Sequence, residues 1–217
     1  MALFWRLLLA HLLADYPLQP HALVALKSKP GGLAIHLGVH LAMMLILVWP
    51  VLALVWPALL ILTLIHGWLD RTKIRSSARL RLSEPAAYLL DQALHLASLI
   101  LVAWAFTRTS QKVQTLPLAV WSIQGVILIL CTHFWAITER VLSVRQPGYQ
   151  EEVAAQLWPR MIARGLPIVV VLATNGGYAS AGAALSLPYA GTYYWRRALL
   201  TDIVVSALGV IALLLLT

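Results

Sequence analysis

The chain has 217 residues, of which 61% are hydrophobic and 11% charged, and its mean hydropathy is +0.82. Soluble domains carry about a quarter charged residues, so this composition excludes an ordinary soluble globular surface. The excess of 16 Lys and Arg over 8 Asp and Glu falls between apolar runs with no aromatic-basic binding motif, which argues against nucleic acid as a partner.

The apolar runs are unbroken rather than alternating, so they predict helices and not barrel strands. The expected fold is an all-α, polytopic transmembrane helix bundle forming one integral membrane domain over residues 1–217. Seven spans are predicted, near 2–17, 31–49, 54–71, 86–106, 117–138, 161–183 and 198–216. The count falls to six if the short first run is only partly inserted. It also falls to six if Asn175-Gly176-Gly177 breaks the sixth. The first run contains His11 and Asp15 and lacks a small-residue cleavage site, so it is expected to be retained rather than removed as a leader. Trp49-Pro50 and Trp56-Pro57 predict a tight turn at a membrane interface. Tyr189, Tyr193, Tyr194 and Trp195 predict a second aromatic belt. The segment 139–160 is charged and reads as an interfacial helix or loop. Cys131 is the sole cysteine and reads as a packed small hydrophobe.

Basic residues set the expected orientation. Lys27 and Lys29, then Arg71 to Arg81, then Arg140, Arg145, Arg160 and Arg164 follow spans one, three and five. Arg108, Lys112, Arg196 and Arg197 fall on the other side. The positive-inside rule places the richer set in the cytoplasm. That gives an N-terminus outside and, with seven spans, a C-terminus inside, in what is expected to be a bacterial inner membrane. Asp202 reads as the ion-pair partner of Arg196 and Arg197 on the outer face.

Ionisable residues within spans are costly and mark functional sites by default. Four pairs stand at i, i+4 spacing: His11/Asp15, His36/His40, His66/Asp70 and Asp91/His95. Each pair shares one helix face. Spans one and three run toward the cytoplasm with their pairs near the C-terminal end. Spans two and four run away from it with their pairs nearer the N-terminal end. All four pairs therefore fall at one cytoplasmic-side depth, and residues 1–106 form a four-helix part that carries the cluster. Residues 117–217 add three spans that read mainly as packing.

Imidazole and carboxylate ligate first-row divalent metals, zinc foremost and manganese or iron as alternatives. The expected metal ligands are His11, Asp15, His36, His40, His66, Asp70, Asp91 and His95. Asp91 and Asp15 are the expected catalytic bases. Gln19, Lys73, Tyr88, Gln92 and His133 would surround the ligands. Lys73 reads as a salt-bridge partner or membrane anchor, Tyr88 also as an interface tyrosine, Lys27 as a topology lysine and His21 as solvated. The chemistry points to a membrane-embedded metal-dependent hydrolase whose substrate is a lipid, a lipid-linked molecule or a membrane peptide. The alternatives are a proton or divalent-cation transporter or channel, and a non-catalytic membrane scaffold. A haem held by His36 and His40 is a minor option. Oligomeric state is not encoded in any of these patterns.

The run HLLADYPLQ (His11 to Gln19), the His66–Asp70 spacing of HGWLD with Lys73 after it, and LLDQALHL (Leu89 to Leu96) together resemble the bacterial domain-of-unknown-function 3307 family of small multi-span membrane proteins. The resemblance covers about the first hundred residues; beyond them TERVL, around Glu139 and Arg140, is the matching patch. It implies a membrane fold and site residues at His11, Asp15, Gln19, His66, Asp70, Asp91, Gln92 and His95, and it implies no activity.

Overall fold

The computed structural model describes residues 1–27, 29–79, 82–174 and 196–216, without the side chains at 21, 74–79 and 196. Among the described residues every regular element is helical. The chain divides into two compact units, Met1–Ile123 and Gln124–Thr217.

The first unit holds α1 (Ala2–Asp15), α2 (His21–Leu26), α3 (Pro30–Leu47), α4 (Leu52–Arg79), α5 (Glu84–Thr109) and α6 (Gln111–Gln114). Local chemistry sets their ends. Pro30 opens α3, where its missing N–H costs nothing. Ser83 caps α5 by accepting the Ala86 N–H, with Glu84 in the first turn toward the positive end of the helix dipole.

Helices α1, α3, α4 and α5 close a ring in which α1 packs on α3, α3 on α4, α4 on α5 and α5 back on α1. One end of the ring is filled by an apolar core that includes Leu3, Leu7, Val48, Val55, Leu59 and Leu99. The other end holds the ionisable pairs. The outer surface is apolar: Leu64 is 68% exposed, Trp68 64% and Leu101 63%. Large apolar side chains outside and ionisable ones inside is the distribution that a lipid solvent favours.

Five helices among the described residues are long and apolar enough to cross a membrane, which makes this an integral membrane protein by length and composition. They correspond to the second, third, fourth, fifth and seventh predicted spans. Helix α1 has 14 residues, about 21 Å at 1.5 Å per residue, and is shorter than the ~30 Å hydrocarbon core. The sixth predicted span begins within α10 (Leu157–Ala173), and its remainder lies outside the described residues, as does the predicted aromatic belt.

The predicted turn needs one correction. Trp49–Val51 forms a single 3₁₀ turn, but Pro57 lies inside α4 rather than at its boundary. It falls close to the N-terminus, where few preceding carbonyls are left for its ring to disrupt.

The second unit contains α7 (Val120–Ile129) from Gln124 onward, a π-helical turn at Leu130–Phe134, α8 (Trp135–Leu142), α9 (Pro147–Ala155), α10 and α11 (Arg196–Leu214). The segment 139–160 is largely helical. Arg160 meets Asp202, the Ser206 hydroxyl donates to the Arg164 carbonyl, and Gly209 faces Ile168. These contacts advance together along both chains, so α10 and α11 run parallel. The sequence reading had them on antiparallel courses, with Asp202 on the face opposite Arg160 and Arg164. The ion pairs of Asp202 with those two arginines overturn that placement. Arg197 instead donates to Gln146 and lies over the Tyr149 ring.

Candidate metal centre

Each helix of the ring supplies one i, i+4 pair, and the ring turns all four inward. His36, His40, His66, His95, His11 and Asp91 are buried; Asp15 and Asp70 are nearly so, their side chains 12% and 15% exposed. Asp15 is the hub. Its Oδ1 lies 3.1 Å from His40 Nε2, 3.3 Å from His36 Nε2 and 3.8 Å from His66 Nε2, and its Oδ2 lies 3.3 Å from His11 Nε2. Asp70 Oδ2 stands 3.4 Å from His36 Nε2 and 3.5 Å from His66 Nε2. The Nε2 atoms of His36 and His66 are 3.0 Å apart.

Three sets of groups bring one ligand atom each to within 4.8 Å of one another: His11, Asp15, His40 and His66; His36, His66 and Asp70; and Asp70, Asp91 and His95. Buried His/Asp groups at these separations are able to hold a metal ion. Two imidazole nitrogens fit that use. His95 Nδ1 lies 2.8 Å from the Asp91 backbone carbonyl. A carbonyl can only accept, so Nδ1 carries the proton, and in the neutral ring the lone pair is left on Nε2. That nitrogen and His66 Nδ1 are buried without a hydrogen-bond partner. A backbone carbonyl that fixes the tautomer of a ligating histidine is a recurring support in metal sites. Haem does not fit: the His36 and His40 rings are 4.5 Å apart, with His66 3.8 Å from His40, which leaves no slot for a porphyrin.

Polar groups predicted around the ligands are placed as follows. The Gln19 amide reaches Asp15 at 3.4 Å and His36 Nδ1 at 3.0 Å. Lys73 donates to Asp91 at 2.8 Å, and the Gln92 amide donates to the same oxygen at 3.2 Å. Tyr88 is buried, its hydroxyl 3.2 Å from that of Tyr16. His133 lies in the second unit, beside Thr132. The His21 side chain lies outside those described.

Two participants were missed from sequence. Lys27, read as a topology lysine, forms a 2.8 Å ion pair with Asp70 and stands 4.0 Å from Asp15. Tyr16 donates to Gln92 at 3.0 Å; its position directly after Asp15 was the available signal.

A second charged cluster lies in the second unit. Arg160 spans Glu139 and Asp202, each at 2.8 Å, and Arg164 reaches Asp202 at 2.8 Å and the Thr132 carbonyl in the π-helical turn at 3.4 Å. Glu139 also accepts from Tyr149. Burial, and next the Glu139 carboxylate, raise the Tyr149 phenol to about 12, so it keeps the proton that it donates. Arg160 and Arg164, taken from sequence as loop residues, are each 1% exposed. The i, i+4 spacing of these two arginines was the overlooked signal.

A helical membrane protein with a His/Asp cluster able to hold a metal is the class that this fold and site define. The family model described as "Protein of unknown function (DUF3307)" matches residues 3–124, more than half of the chain, and the chain belongs to that family. Comparison with curated proteins and with solved structures gives no match.

Proposed function

We propose that the protein is a membrane-embedded, metal-dependent hydrolase whose site opens toward the cytoplasmic side of a bacterial inner membrane. The observation that carries this reading is the convergence of five imidazoles and three carboxylates from four helices in one polar end of the ring. Two of those imidazoles present buried, unpartnered nitrogens. Unpaired ionisable groups at that depth are expensive, and a divalent cation would repay their clustering.

His11, Asp15, His40 and His66 would hold one ion, with zinc the first choice for the mixed nitrogen and oxygen set. Asp70, Asp91 and His95 offer a second position. A bound ion with an open coordination site lowers the pKa of water and supplies hydroxide near neutral pH. The residues do the rest. His95 is oriented by the Asp91 carbonyl. With an ion on the first set alone, Asp91 would be the carboxylate left to take a proton from water. Lys27 and Lys73 supply positive charge beside the leaving group.

A proton or cation pathway is the rival, and the chain of close His and Asp contacts favours it. The apolar core filling the opposite half of the same ring counts against it, because a pathway would need polar groups to continue through that half.

Elemental analysis of the detergent-purified protein tests the proposal. The expected result is zinc, manganese or iron at one or two equivalents, falling at least tenfold in His66→Ala, on the order of the loss seen when a metal site loses a supporting group. Substoichiometric metal that His66→Ala leaves unchanged sinks it.

A further inference from the structure

A site inside a closed ring of helices needs a route for its substrate. At one rim Lys27, Gln19 and the partly exposed Asp15 and Asp70 form a polar mouth suited to water. On the flank, between α4 and α5, a notch of about 30 Å³ is walled by Leu69, Leu82, Ala87, Leu90 and Leu94, with Lys73 and Asp91 at its polar end. Asp91 belongs to the cluster. Leu90 and Leu94 are 43% and 44% exposed on the apolar surface.

This combination has a chemical preference. Leucines around the opening disfavour a freely soluble polar molecule and suit an acyl chain. The Lys73 ammonium, 2.8 Å from Asp91 and 5.7 Å from the centre of the Tyr88 ring, suits an anion that can exchange with the Asp91 carboxylate. We infer that the α4–α5 seam admits an anionic lipid from the bilayer, with its phosphate taken by Lys73 and its chains lying against Leu90 and Leu94. The inference rests on the hydrolase reading for its chemistry, but it concerns binding, and binding is measured without turnover.

The test uses the full chain in detergent, titrated calorimetrically with dioctanoyl phosphatidylglycerol, dioctanoyl phosphatidylcholine and inorganic phosphate. The metal content of each preparation is measured alongside. The expected result is saturable binding of phosphatidylglycerol, weakened about tenfold in Lys73→Gln, as for the loss of one charge-assisted hydrogen bond. Lys73→Arg should retain it, Leu94→Trp should weaken it by blocking the seam, and Lys29→Gln should leave it unchanged. Equal affinity for phosphatidylcholine overturns the inference, as does binding of phosphate alone with the same affinity, or wild-type binding by Lys73→Gln. If Lys73→Gln does not fold, wild-type binding by Leu94→Trp overturns it instead. Protein without metal overturns the hydrolase reading and leaves the lipid titration to decide this one.

Discussion

At the residue scale, Asp15 is the group on which most of the first cluster depends. Imidazoles from α1, α3 and α4 all approach its two oxygens within 3.8 Å, so removing its charge while keeping its shape isolates the electrostatic contribution. Asp15→Asn should lower bound metal about tenfold or more by elemental analysis; retention of wild-type metal would show that the imidazoles suffice without it. Arg160 holds the corresponding place in the second cluster. Without it, Glu139 and Asp202 are left to share Arg164 alone, 3.6 Å and 2.8 Å away, in a buried setting. Arg160→Met should cost about 3–5 kcal/mol of stability, read as a lower thermal midpoint in detergent, and an unchanged midpoint would mean that the network is solvated. The i, i+4 pairs were legible because their spacing is local. Lys27 and Tyr16 were not, because their partners Asp70 and Gln92 lie on other helices.

At the element scale, the site depends on how closely backbones approach. A Cβ on Gly32 would lie 2.1 Å from the Leu26 carbonyl oxygen, a backbone atom that cannot step aside. This contact seats α2 against α3 and so places Lys27, which follows α2, against Asp70. Gly32→Ala should therefore displace α2 and release Lys27, with a destabilisation of about 1–3 kcal/mol. Gly32→Ala and Lys27→Gln should be non-additive in a double-mutant cycle of thermal stability; simple additivity would separate the helix contact from the ion pair. Gly67 is a contrasting case, since a Cβ there would meet Leu37 Cδ1 at 2.7 Å, the end of a side chain that can rotate. Gly67→Ala should be the milder change.

At the scale of the whole molecule, the parallel course of α10 and α11 revises the topology. Helix α11 has 19 residues, about 28 Å, and starts level with Arg160. The C-terminus then lies on the face opposite the basic segment that precedes α10. Arg197, which reaches Gln146 and Tyr149, lies on that same basic side of the second unit. Single cysteines at Arg145 and Leu215, in a Cys131→Ser background, should label from opposite sides of sealed vesicles with a membrane-impermeant maleimide. Labelling from the same side would restore the antiparallel arrangement and contradict the Arg160–Asp202 pair.

The sequence by itself determined that the chain is helical and built for a bilayer, and that four polar pairs each occupy one helix face. These properties follow from composition and from spacings of four residues, which the helix converts directly into geometry. The tertiary structure decided which helices close the ring, that Asp15 gathers the imidazoles, that Lys27 and Lys73 hold the remaining carboxylates, and that α10 and α11 run the same way. Those outcomes depend on contacts between residues distant along the chain. An apolar helix is equally satisfied by lipid in either direction, so only the charges buried between α8, α10 and α11 fix how the last two are paired.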